Sequence, residues 1–432
     1  MHSLSRLSLS LFLACAAVPA AVAQNATASA QRIEPLVRGV YPQLEALYKD
    51  IHAHPELGFK ETRTAAKLAS EMRNLGFEVT ERVGRTGVVA IYRNGAGPTV
   101  LVRTELDALP MEEKTGLPYA SKVKTEWQGR ETFVAHSCGH DIHMASWVGT
   151  ARTLLALKDQ WHGTLMFIAQ PAEEVGGGAK GMIEDGLFKR FPKPDVAFAL
   201  HTSASPYGVV GYRAGPITSA SDGLEITFKG SGGHGSAPHK TIDPIMMAAH
   251  FVTDVQTVVS REKDPSEFGV VTIGSIQGGT AGNIIPDSTL LRGTIRSYDP
   301  QVRSTLIEGV RRTAKATAAM AGAPEPMIEL DPAKGNAAVV NDQALVRRTV
   351  AALKAQLGDS QVVQVPPISA SEDFSEFVAA GIPSMFFFIG VSDPQEVAES
   401  LKAGGKPVPE PSITTGVRAM TSAVLAAMDA KN

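Results

Sequence analysis

Three short apolar runs, each delivering an acid or an imidazole at its end, constrain this chain more than any other feature. The run 99–103 leads into Glu105 and Asp107. The run 163–169 is followed, after Gln170-Pro171, by Glu173-Glu174, and the run 195–200 ends at His201. Apolar segments of this length read as strands buried on both faces, as in a parallel sheet covered by helices. Helical patterns at 61–75 and 142–157 alternate with them, giving a βα rhythm. Open α/β sheets gather ligand and catalytic groups beyond the carboxyl ends of their strands. The pattern predicts an α/β fold with one polar site at that edge.

The rhythm changes at Ser221. A strand over 222–229, a Gly- and His-rich loop over 230–239, a helix over 243–260, strands over 268–276 and 288–298, a helix over 300–321 and a strand over 326–330 follow. That βαββαβ order is ferredoxin-like. Alternating α/β signals then resume: helices over 343–357, 372–380 and 415–429, and a strand over 384–389. The expected organisation is a mainly parallel catalytic domain, 32–215 and 331–432, interrupted by a unit over 216–330. A chain of 432 residues has room for two cores.

Composition narrows the function classes. A formal net charge of −3, without a Lys/Arg cluster, argues against nucleic acid as a partner. The N-terminus carries one basic residue before Leu7, an apolar run to Ala20, and the small-x-small sequence Ala21-Val22-Ala23. This reads as an export signal over 1–23, with a periplasmic or secreted product, and the run is too short for a membrane span. Residues 24–31 read as a disordered lead-in. Cleavage after Ala23 leaves Cys138 as the remaining cysteine.

The densest chemistry lies at 136–143, His-Ser-Cys-Gly-His-Asp-Ile-His. A lone His or Cys is usually a packed core residue. Here Cys138 and His140 stand one residue apart, in the company of the acids and His201 that the strands deliver. Thiolate, imidazole and carboxylate are the donors that zinc and related first-row ions take in catalytic sites. Glu173 and Glu174 point to opposite sides of an extended backbone. One is therefore read as a ligand and the other as a general base toward water. The residues point to a metal-dependent hydrolase.

Eight segments together resemble the aminoacylase and hippurate-hydrolase family, whose amidohydrolase branch includes plant auxin-conjugate hydrolases. They are His-Ala-His-Pro-Glu-Leu-Gly-Phe (52–59), Asp-Ala-Leu-Pro (107–110), His-Ser-Cys-Gly-His-Asp (136–141) and Gln-Pro-Ala-Glu-Glu (170–174). The others are Gly-Gly-His-Gly-Ser-Ala-Pro-His (232–239), Gly-Gly-Thr-Ala-Gly-Asn-Ile-Ile-Pro-Asp (278–287), Ser-Glu-Asp-Phe-Ser (371–375) and Pro-Glu-Pro-Ser-Ile-Thr-Thr-Gly-Val (409–417). The resemblance implies a metallopeptidase fold with two divalent ions per subunit, drawn from zinc, manganese, cobalt and nickel. Cys138 would bridge them, with His140, Glu174 and His201 as further ligands and Glu173 as base. It implies a lid built from the inserted unit, which also forms dimers in many members. His234 on that lid would stabilise an oxyanion, and Asn283 and Arg296 would face the substrate, with Asp107 and Glu372 in support. The implied substrates are N-acyl amino acids or small peptides.

The chain departs from the family where a fifth ligand, a histidine shortly before the Pro-Glu-Pro segment, is usual. Residues 400–407 contain none, and no histidine follows His250. Glu105 also stands where an Asp is usual. The second ion is therefore expected to be weakly held, ligated by Glu372, Glu396 or Glu399, or absent. A catalytically impaired relative that binds the same ligands is the alternative in another class. A cysteine hydrolase, with Cys138 as nucleophile and His136 as base, is the third reading.

Overall fold

The apolar runs become the middle of an eight-stranded sheet in the computed structural model, which describes residues 17–395 and 409–429. Strands Gly163–Gln170, Thr99–Glu105, Val196–Pro206 and Ser384–Ser392 lie side by side and parallel. Three of them are buried almost throughout, and Val196–Pro206 through its first five residues, as strands covered on both faces must be. Antiparallel neighbours extend the sheet on either side. Gly87–Asn94 and Glu78–Val83 follow Gly163–Gln170, while Val210–Tyr212 and Val362–Gln364 follow Ser384–Ser392, these last two pairing parallel with each other. Helices Ala17–His52, His140–Ala156, Gln343–Leu357 and Pro409–Met428 pack against one another in one layer. A second apolar cluster, with Met182, Phe374 and Phe377, covers the opposite face.

The inserted unit is a separate four-stranded antiparallel sheet in the order Gly269–Gln277, Ser288–Ser297, Ala220–Lys229, Met327–Glu329. In chain order this places the fourth strand beside the first and the third beside the second, the ferredoxin-like arrangement. Alternation along Ala220–Lys229 puts Leu224, Ile226 and Phe228 against helices Pro244–Asp254 and Pro300–Met320, in a core of its own. Both helices begin at Asp-Pro. Asp243 accepts from the Ile245 amide, and Asp299 from the amides of Gln301 and Val302. Proline at N1 gives up a donor that the helix leaves unpaired anyway.

Two expectations change. Residues 24–31 lie within helix Ala17–His52 rather than in a disordered lead-in, and alanines 26, 28 and 30 are strong helix formers. The strand read as ending before His201 runs on to Pro206, so His201 is a strand residue opposite Phe388. Its second half is polar, which hid it from an apolar-run reading. Residues 1–16 of the export segment, and Glu396 and Glu399, lie outside the described residues. No helix among the described residues is long and apolar enough to cross a membrane.

Candidate metal centre

The groups of the site come from different segments of the parallel core. Asp107 follows Thr99–Glu105, the glutamate pair follows Gly163–Gln170, His201 lies on Val196–Pro206, and Glu372 precedes Ser384–Ser392. Cys138 and His140 flank Gly139, the N-cap of helix His140–Ala156. Gly139 has φ 86°, and a Cβ there would lie 2.5 Å from Thr202 Oγ1. Glycine alone takes that left-handed turn against a neighbouring side chain without strain.

The donor atoms converge. One ligand atom each from Cys138, His140 and His201 lie within 4.8 Å of one another, as do those from His140, Glu173 and Glu174. Cys138 Sγ is 3.4 Å from His201 Nε2, and His140 Nε2 is 3.9 Å from both glutamate carboxylates. His140 Nδ1–H donates to the Asp107 carbonyl at 2.7 Å, and His201 Nδ1–H to the Thr202 carbonyl at 2.7 Å. Both rings therefore turn an Nε2 lone pair toward the site. His140 Nε2 and Glu174 Oε1 are buried without a hydrogen-bond partner. The Asp107 carboxylate accepts from the backbone amides of Glu173 and Glu174, at 3.1 and 3.0 Å.

A buried network backs these groups. The Arg103 guanidinium donates to Gln170 at 3.0 Å, Glu372 at 2.7 Å and Asp373 at 2.9 Å, and is paired with Glu105. Glu105 accepts from His143 Nδ1–H at 2.9 Å, and His143 Nε2 accepts from the Thr202 amide at 2.9 Å. Both nitrogens of His143 are thus engaged, which makes it a support rather than a ligand. Sequence reasoning gave Arg103 no role, and it counted His143 within the dense segment 136–143 without assigning it one. A single arginine inside an apolar strand was the available signal, since it is buried only where carboxylates meet it.

Electrostatics asks for a cation. Burial pushes the Cys138 thiol far above its ordinary range, and Glu174 and Glu173 push it further. Burial also raises Glu174, and raises Glu173 with help from Glu372 and Asp373. It lifts Asp373 to about 7. His140 is held well below the usual imidazole range, first by burial. Among the described residues Arg103 is the one buried guanidinium facing this set of acids. A divalent ion would supply the missing charge and hold the thiol as thiolate. Orphaned donors, neutral imidazoles and crowded acids all fit it. The cysteine-nucleophile arrangement finds no such support: both ring nitrogens of His136 are buried without a partner, and the thiol is pushed away from the low range a nucleophile needs.

The donors open on a cleft of about 410 Å³ whose lining includes Cys138, Glu173, Glu174, His201, Glu372 and Lys334. The three residues assigned to the substrate side are placed elsewhere. His234 and Asn283 are neighbours at a short two-stranded antiparallel pairing of the inserted unit, exposed and outside the lining of that cleft. Arg296 reaches the Ser369 carbonyl at 3.4 Å, at the edge of the segment that lines the cleft. Lys334, which the sequence did not single out, is the cation among the lining residues.

The model of peptidase family M20/M25/M40 matches residues 101–426. The chain is 39% identical over 362 residues to thermostable carboxypeptidase 1 of Saccharolobus solfataricus, with 82% of this chain and 87% of that one covered. It is 35% identical over 353 residues to N-acetyl-L-cysteine deacetylase of Bacillus subtilis, covering 81% and 80%. Among solved structures, the Bacillus subtilis YXEP protein, a dinuclear metal binding peptidase from the M20 family, matches with a TM-score of 0.74. Identity there is 29%, and 91% of this chain and 99% of that chain are covered.

Proposed function

The chain belongs to peptidase family M20/M25/M40, and on that premise we propose that it hydrolyses N-acyl amino acids or small peptides, after export. It is a metal-dependent amide hydrolase. The observation that carries the finer reading is the buried, unpartnered pair His140 Nε2 and Glu174 Oε1 facing a cleft that also holds Cys138, His201 and Glu173. Cys138, His140, Glu174 and His201 would hold two ions, the second the weaker. Bound ions supply Lewis acidity toward the scissile carbonyl and acidify water. Glu173 takes the proton of the attacking water and returns it to the leaving amine. Its raised basicity, from burial beside Glu372 and Asp373, suits that exchange.

The inserted unit, 216–330, acts as the lid and as a dimer surface, and the exposed side chains of Met246, Ile276 and Ile284 support the second role. His234 Nδ1 accepts from the Ser236 amide at 3.2 Å, which leaves the proton on Nε2. Nε2–H is then the donor for an oxyanion once the lid, its own or a partner's, closes. Asn283 and Arg296 travel with it toward the substrate, Arg296 as the partner of a carboxylate. The relative named as a deacetylase of N-acetyl-L-cysteine supports the acyl-amino-acid class. The test is chelation followed by reconstitution with zinc, manganese, cobalt or nickel, assayed on a panel of N-acyl amino acids and dipeptides. Hydrolysis should vanish and return with metal. Hydrolysis indifferent to chelator, or absent with every ion, would refute the reading.

A further inference from the structure

We infer that Glu61, which comes from outside the strands that carry the site, is a positioning residue for the glutamate pair, acting through the backbone of Ala172. The inference rests on Glu173 and Glu174 working as proposed above.

Ala172 immediately precedes the pair, is fully buried and has φ 53°, in the left-handed region that residues bearing a Cβ seldom occupy. Something must hold it there. The Glu61 carboxylate accepts from the Ala172 amide at 2.8 Å, and its other oxygen accepts from the Thr86 hydroxyl at 2.6 Å. The next two amides, of Glu173 and Glu174, go to Asp107. Three successive N–H groups thus end on two buried carboxylates. Gly58 completes the seat, because a Cβ there would come within 3.3 Å of Ala172 Cα and Cβ.

The use of Glu61 is independently unusual. It occupies the N-cap of helix Thr62–Asn74 yet makes no side-chain cap. An acid at that position ordinarily caps its own helix. Here Glu56 does that work, accepting from the amides of Arg63 at 3.1 Å and Thr64 at 2.7 Å. Glu61 is fully buried and has no ion pair among the described residues, so its burial is costly for the fold alone. Its carboxylate meets the Ala172 amide and the Thr86 hydroxyl, and nearer in sequence the backbone amides of Phe59 and of Glu61 itself. If Ala172 relaxed to negative φ, the Cα–Cβ direction of Glu173 would swing away and Glu174 would leave the metal.

The experiment compares Glu61→Ala, Glu61→Gln and Glu61→Ala/Ala172→Gly, each reconstituted with metal. We expect Glu61→Ala to lower kcat by 10- to 100-fold with KM nearly unchanged, and to weaken the calorimetric affinity for zinc by a similar factor, the usual range for an outer partner of a metal ligand. Glu61→Gln keeps an acceptor for the Ala172 amide and should lose far less. Glycine adopts left-handed φ without steric cost, so the double variant should recover most of both losses. A merely structural role predicts no recovery and a further drop in melting temperature. Unchanged kcat and zinc affinity in Glu61→Ala, or losses that Ala172→Gly leaves untouched, would overturn the inference. If Glu61→Ala does not fold, Glu61→Asp, whose shorter side chain draws the acceptor back from the Ala172 amide, with and without Ala172→Gly carries the same comparison. A wild-type protein that binds zinc but cleaves no N-acyl amino acid would sink the substrate reading alone, since zinc affinity still decides the role of Glu61.

Discussion

At Glu173 the residue scale decides between base and ligand. Its carboxylate lies among Glu372, Asp373 and His140, and burial lifts its affinity for a proton. Glu173→Gln keeps size and hydrogen-bonding reach but removes basicity. It should bind metal and fold like the parent while kcat falls by the ~10²–10⁴-fold that general-base catalysis supplies. Normal turnover would return the role to another group. His52 offers a test by pH. Burial alone would lower it, but Asp141 at 2.6 Å and Glu113 at 3.0 Å outweigh burial and raise it to about 9. A folded-state value above the unfolded one favours the fold while the ring is protonated. The contribution is complete below about 6.5 and is lost as pH rises through about 9. The melting-temperature gap between wild type and His52→Gln should therefore be widest near pH 6 and shrink toward pH 10. A gap that widens with pH would show that the ring is neutral in the folded protein.

Among elements, strand Thr99–Glu105 ties the sheet to the loop before helix Ser375–Ala379, through Arg103, Glu372 and Asp373. Arg103→Met fills the volume but leaves Glu105, Glu372 and Asp373 buried without their partner. Breaking such an ion cluster costs ~3–5 kcal/mol, which a denaturant midpoint measures directly. A cost under about 1 kcal/mol would mean that the acids are protonated or hydrated there. This network also shows what a linear reading reaches. The parallel strands were legible because Leu165, Met166, Phe167 and Ile168 are apolar in unbroken succession. The inserted unit was legible from alternation in Ala220–Lys229 and from Asp-Pro at two helix starts. The candidate metal donors stand out in the sequence because Cys138, His140 and Glu174 fall in two short motifs and His201 ends an apolar run. Contacts between distant segments were not. Arg103 meets Glu372 across 269 positions and Glu61 meets Ala172 across 111, and nothing local to one segment names its partner in the other. The helix predicted over 372–380 begins only at Ser375, because Glu372 and Asp373 are held by Arg103 in non-helical backbone.

For the whole molecule, the metal donors and the inserted unit belong to separate cores. Cys138, His140, Glu174 and His201 all precede the insertion, while Glu372 and strand Ser384–Ser392 return after it to the same sheet. Ions held there would join segments of the catalytic sheet and contribute nothing directly to the core around Phe228 and Phe251. Binding only the folded form stabilises by RT ln(1 + [L]/Kd), ~2.7 kcal/mol for each site at a hundredfold excess over Kd. The three tryptophans, Trp127, Trp147 and Trp161, all lie outside residues 216–330. Tryptophan fluorescence therefore follows the catalytic sheet, whereas far-ultraviolet circular dichroism follows both units. With metal, the two signals should melt together. Chelation should lower the fluorescence midpoint and leave part of the dichroism signal to melt later, and zinc should bring the two midpoints back together. Equal displacement of both signals by chelator would mean that the inserted unit has no stability of its own and unfolds as part of the sheet it interrupts.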